Sequence, residues 1–106
     1  DLVLDVVLEG GAGVISVIGQ ALVNDFSKMI QYGLKGKRKK AKLIEERLLP
    51  LIKLIFEENN PAGIKTVLNQ LDLCNDNVRL PLVSTSDELK LKIIKTLKSL
   101  NISKAL

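Results

Sequence analysis

The stretch Gly10-Gly11-Ala12-Gly13-Val14-Ile15-Ser16-Val17-Ile18-Gly19 decides how the whole chain is read. Residues 13–18 are β-branched and nearly all apolar, with glycines at both ends. A short run without polar alternation reads as a strand buried on both faces. The strand is expected at about residues 13–17. It needs a hydrogen-bonding neighbour on each edge, because its amides and carbonyls are otherwise unpaired. No other segment reads as a strong strand. The neighbours are therefore expected in sequence beyond these 106 residues, in keeping with a start at Asp1 rather than Met. The glycines of residues 10–13 precede the strand, whereas dinucleotide-binding fingerprints follow one, so they read as a helix-to-strand turn.

Working outward, the pattern turns helical. Leu2, Val3, Val6 and Val7, with Leu4 and Leu8, have helical spacing up to Gly10-Gly11. Beyond the strand, a helix over about 24–34 carries Phe26, Met29, Ile30 and Leu34, with Asn24 or Asp25 as candidate caps and Gly36 as its stop. A long helix over about 38–57 has Ala41, Ile44, Leu48, Leu51 or Ile52, and Ile55 on one stripe. Pro50 lies in that stripe, and because the period continues in phase a kink is expected rather than a break. Asn60 is expected to cap a helix over 61–71, with Pro61 at its first position. Arg79-Leu80-Pro81-Leu82 reads as extended. Ser86 is the expected cap of a last helix over 86–99, striped by Leu89, Ile93, Leu97 and Leu100. The chain is thus expected to be mostly α, with one strand.

Composition closes off several chemistries. The chain has no His, which removes Ser-His-Asp and Cys-His catalysis and every His-ligated metal site. Cys74 is the only cysteine and cannot form an internal disulfide, so a cytoplasmic setting is expected. Apolar residues make up 46% and aromatics 3%, so a core must be built from aliphatic side chains. Residues 2–23 carry Asp5, Glu9, Gln20 and many glycines, too interrupted for the about 20 apolar residues of a membrane span. Sixteen Lys and Arg against twelve Asp and Glu give a formal charge of +4. The surplus sits in Lys35, Lys37, Arg38, Lys39, Lys40 and Lys42, read as a solvated helix turn partly relieved by Glu45 and Glu46. No nucleic-acid or membrane partner is expected. Glu57, Glu58, Asp72 and Asp76 match no metal loop, and no metal site is expected.

Four motifs in order carry a resemblance: Gly10-Gly11-Ala12-Gly13-Val14-Ile15-Ser16-Val17, Leu48-Leu49-Pro50-Leu51, Asn60-Pro61-Ala62-Gly63-Ile64-Lys65 and Val78-Arg79-Leu80-Pro81-Leu82-Val83. Together they resemble the C-terminal segment of the dihydrodipicolinate synthases across essentially the whole chain. Related pyruvate-dependent aldolases such as N-acetylneuraminate lyase match the Asn-Pro and Arg-Leu-Pro motifs less well. Ile18-Gly19-Gln20 stands where many members carry Thr-Ala-Asn, and residues 37–40 replace a more neutral stretch.

The resemblance implies a TIM (β/α)8 barrel followed by a small C-terminal helical domain. Residues 1–35 would be the seventh helix, eighth strand and eighth helix of the barrel, and residues 36–106 the helical domain. It implies a lyase of lysine and diaminopimelate biosynthesis. A lysine forms a Schiff base with pyruvate, and the enamine attacks aspartate semialdehyde. That lysine and the acid/base tyrosine lie on the sixth and fourth strands, so no catalytic residue is expected in this chain. Ile15 would border the pyruvate pocket, with Val14 and Ser16 beside it. No cofactor beyond the lysine–pyruvate imine is implied, and a homotetramer is. The rival readings are another aldolase of the superfamily and a stand-alone basic helical binding module.

Overall fold

The helices of this chain stop where their own sequence tells them to. The computed structural model describes residues 2–102, which contain α1 (Val3–Leu8), α2 (Val23–Leu34), α3 (Arg38–Ile55), α4 (Ala62–Gln70) and α5 (Asp87–Ser99), with short connections on either side of α3 and longer ones after α1 and α4. Beyond the end of α1, the Gly11 amide donates to the Val6 carbonyl (2.9 Å) and the Gly10 amide to that of Val7 (3.2 Å). This crossed pair needs a left-handed residue, and Gly10 supplies it at φ 105°. The same pair recurs after α2, α4 and α5, from Lys37 to Tyr32 and Gly36 to Gly33, Leu73 to Leu68 and Asp72 to Asn69, and Ile102 to Leu97 and Asn101 to Lys98. The left-handed position is Gly36 after α2, but Asp72 and Asn101 after α4 and α5.

Helix starts follow the sequence less closely. Ser86 caps α5 as expected, its hydroxyl accepting from the Leu89 amide at 3.2 Å. Neither Asn24 nor Asp25 caps α2, which begins one residue earlier at Val23 and has no side-chain cap bond. Asp25 instead meets the Arg47 guanidinium at 2.5 Å. Asn60 does not cap α4 either. Pro61 takes the position before the helix, after a cis peptide, and the carbonyls of Asn59 and Pro61 accept from Gly63 and Lys65.

The larger departure is at residues 13–17, where no strand forms; among the described residues there is no strand anywhere. The reason is the one that made the strand conditional: a ladder needs a second chain segment, and none of the described residues supplies one. Residues 11–16 run without regular structure into a single 3-10 turn, Ile18–Gln20.

The chain gathers into two compact units, Asp1–Leu49 and Pro50–Leu106, with the boundary inside α3. In the first unit α1 and the 3-10 turn pack on α2. Leu4, Val7, Ile18, Leu22, Phe26 and Met29 are buried with Ala41 and Leu48 of α3. Gly33 lets α1 approach, since a Cβ there would lie 3.0 Å from Val7 Cγ1 and 3.1 Å from Leu4 Cδ1. Lys42 reaches back to Asp5 at 3.0 Å and Arg47 to Asp25, which ties the N-terminal half of α3 to the first two helices. Phe26 is buried within the unit, beside Gly19.

In the second unit α4 packs on α5, and Leu51, Ile55, Ile64, Val67, Leu89, Ile93 and Leu97 form the core. Two hydroxyls lie inside it, Thr66 and Thr85, with Oγ1 atoms 2.8 Å apart. Thr66 already donates to the Ala62 carbonyl at 3.2 Å, so its oxygen accepts from Thr85. The order of donation sets an asymmetry. Thr85→Val leaves Thr66 satisfied and should cost about 0.5–1.5 kcal/mol. Thr66→Val strands a buried Thr85 hydroxyl and should cost about 1–3 kcal/mol. Urea denaturation of both variants measures the difference, and equal losses would reject the assignment.

Candidate functional site

Val14, Ile15 and Ser16 sit on the connection between α1 and the 3-10 turn. Ile15 is fully exposed, Val14 about a third so, at 38%, and Ser16 is half-buried. The Ser16 hydroxyl accepts from the Gly19 amide at 3.1 Å, closing the 3-10 turn. No other side-chain hydrogen bond joins these three residues to the rest of the described chain. Their backbone amides likewise have no acceptor among the described residues. The segment therefore offers an apolar surface and open backbone amides, with no titratable side chain and its one hydroxyl held by the Gly19 amide.

The lysines point the same way. Imine formation needs a neutral amine, which proteins obtain by burying a lysine or setting it beside another cation. None of the described lysines is buried. Carboxylate bonds hold three of them above their ordinary range: Lys42 through Asp5 and then Glu45, Lys90 through Asp76, and Lys92 through Glu57. These shifts favour the ammonium form, opposite to what a nucleophilic amine requires.

The remaining residues singled out by sequence have structural partners. Glu58 accepts from the Ser86 amide at 3.0 Å and from its hydroxyl, which holds its carboxyl below the usual glutamate range. Asp76 is likewise lowered by Lys90, 2.7 Å away. Glu57 pairs with Lys92 at 3.2 Å. The exposed Cys74 offers its carbonyl to Asn69 at 3.1 Å. Among the described residues no group of three or more His, Cys, Asp or Glu is placed to hold a metal ion. In the basic run, Glu45 relieves Lys42 at 3.2 Å, as expected of an i,i+3 pair, while among the described residues the cations of residues 35–40 have no such ion pair.

Comparison with known proteins decides the family. The model of the dihydrodipicolinate synthetase family matches residues 1–100. The chain belongs to that family. A 4-hydroxy-tetrahydrodipicolinate synthase of Flavobacterium psychrophilum is 42% identical over 88 residues, 83% of this chain and 30% of the relative. That of Methanococcus vannielii is 41% identical over 104 residues, 98% of this chain and 36% of the relative. The crystal structure of dihydrodipicolinate synthase from Aquifex aeolicus superposes with a TM-score of 0.91 at 32% identity, covering 99% of this chain and 36% of that one. The chain thus spans about a third of the length of the family members it matches. The likeness covers nearly every residue of the chain, segment 11–16 included, although that segment lacks regular structure here.

Proposed function

We propose that these residues are the C-terminal third of a 4-hydroxy-tetrahydrodipicolinate synthase. The observation that carries this is 41% identity to such a synthase across 98% of the chain, far more than the packing of a few helices demands. On this reading the whole protein is a cytoplasmic lyase of lysine and diaminopimelate biosynthesis, assembled as a homotetramer. A lysine outside this chain forms an imine with pyruvate. The imine draws electrons from the methyl carbon, and the resulting enamine attacks the aldehyde of aspartate semialdehyde.

This chain's contribution is structural and steric. Residues 13–17 become the eighth strand of a (β/α)8 barrel once strands flank them, and Ile15 lends an apolar wall to the pyruvate pocket beside Val14 and Ser16. Residues 1–35 complete the barrel, and residues 36–106 form the helical domain behind it. The open backbone edges and the exposed Ile15 support this reading.

A chimera tests it. The matching third of the Methanococcus vannielii synthase is replaced by this chain, and pyruvate is trapped with borohydride. The chimera is expected to gain one reducible pyruvate adduct per chain and to condense pyruvate with aspartate semialdehyde, while the isolated chain gains no adduct. An adduct on the isolated chain would place a catalytic lysine here. A folded chimera that traps pyruvate but does not condense it would favour another aldolase of the superfamily.

A further inference from the structure

Between α2 and α3 the chain carries five cations within six residues: Lys35, Lys37, Arg38, Lys39 and Lys40. All five are exposed, and none has an ion pair among the described residues. Four cations elsewhere, Lys42, Arg47, Lys90 and Lys92, do meet carboxylates. Among the described residues, the one charge-related contact of these five cations is that of Lys40, 5.6 Å from the centre of the Tyr32 ring. The first turn of α3 contains no acidic residue, so three cations stand where the helix dipole is itself positive. The run therefore repels itself and the helix end, and an outside anion would relieve both.

Two leucines flank it. Leu34, at the end of α2, is 51% exposed, and Leu43 on α3 is 67% exposed. Leu43 follows Lys39 by four residues and Lys40 by three, which puts all three on one face of α3. Exposed leucines beside cations suit a surface that is anionic outside and apolar just beneath. A nucleic acid gains nothing from them. Four of the five cations are lysines, point charges without the arginine fork, and the one aromatic ring nearby already lies under Lys40.

We propose that residues 34–43 form a docking surface for an anionic lipid membrane, with Lys35 and residues 37–40 against the headgroups and Leu34 and Leu43 at the acyl boundary. The surface uses none of the residues assigned to the pyruvate pocket. Attraction of this kind is worth several-fold in affinity per cation and is screened by salt.

The experiment is co-sedimentation of the chain with phosphatidylcholine–phosphatidylserine vesicles and with phosphatidylcholine vesicles, at low and at physiological salt. Binding is expected only to the serine-lipid vesicles and should weaken with salt. Replacing residues 37–40 together (Lys37→Glu, Arg38→Glu, Lys39→Glu, Lys40→Glu) should lower it by on the order of a hundredfold. Acidic side chains suit a helix start, so folding is not at risk, and circular dichroism checks it. The pair Leu34→Ser and Leu43→Ser should lower vesicle binding several-fold. Equal binding to both vesicle types, or retention by the folded charge-reversed chain, would overturn the proposal. So would an unaffected leucine variant together with equally tight binding to duplex DNA, which would make the run a nucleic-acid surface instead.

Discussion

In the isolated chain, the amides of residues 12–16 are expected to exchange with deuterated water at nearly the rate of an unfolded peptide. Those of residues 51–55 should be slowed at least about a thousandfold. The contrast follows from hydrogen bonding and burial. No amide of residues 12–16 has an acceptor among the described residues, and Ile15 stands wholly in solvent. Residues 51–55 lie inside α3, and Leu51 and Ile55 are buried. Joining the chain to the other two thirds of a family member should reverse the first result, because strands on both edges would bind those amides. Exchange followed by mass spectrometry reads both states. Equal protection of the two segments in the isolated monomer would mean that residues 12–16 find partners inside the chain, and the lyase reading would lose its structural support.

Gly63→Ala is expected to remove more than about 3 kcal/mol of stability, a large part of the roughly 5–15 kcal/mol a domain possesses. The usual sign is the opposite, since alanine in a helix is favoured over glycine by about 1 kcal/mol. Here a Cβ would lie 2.0 Å from the Ile55 carbonyl oxygen and 2.6 Å from its carbon. Both are backbone atoms, so no rotamer change relieves the overlap, and α4 must move away from the end of α3. Leu51, Ile55, Ile64 and Val67 would then lose contact together. Gly13→Ala is the control: nothing lies within 4 Å of a Cβ there. Urea denaturation of both variants should separate them clearly, and a Gly63→Ala chain as stable as the parent would show that the two helices can part without loss.

Much of this was legible in the sequence because helices write their own periodicity. The stripe Ala41, Ile44, Leu48, Leu51 or Ile52, and Ile55 reads as the inner face of α3, of which Ala41, Leu48, Leu51 and Ile55 are buried and Ile44 and Ile52 only partly so, and Ser86 reads as the cap of α5. What misled was information of another range. Residues 13–17 have a strand's composition, but a strand exists only in its pairing, and that cannot be met locally. Asn60 and Asp25 are sound caps by type, but Pro61 takes the position before α4 and Asp25 is drawn into an ion pair with Arg47. Gly63 lies inside a helix, where glycine reads as weak helix former, and only the approach of Ile55 shows why it is there. Of the candidate site, the sequence reading named Val14, Ile15 and Ser16 through family resemblance alone. Nothing in three uncharged residues announces a pocket wall.

The crossed hydrogen bonds that end α1, α2, α4 and α5 each span six residues or fewer. A helix that carries its own stop requires no distant segment to define its length, so its boundaries are set as soon as it has been made. Helix formation of this kind takes on the order of a microsecond, well ahead of any pairing between remote segments. On a growing polypeptide these helices would assume their final extents as they emerge. The stretch between α1 and α2, which has no regular structure of its own beyond a single 3-10 turn, would wait on whatever segment comes to pair with it.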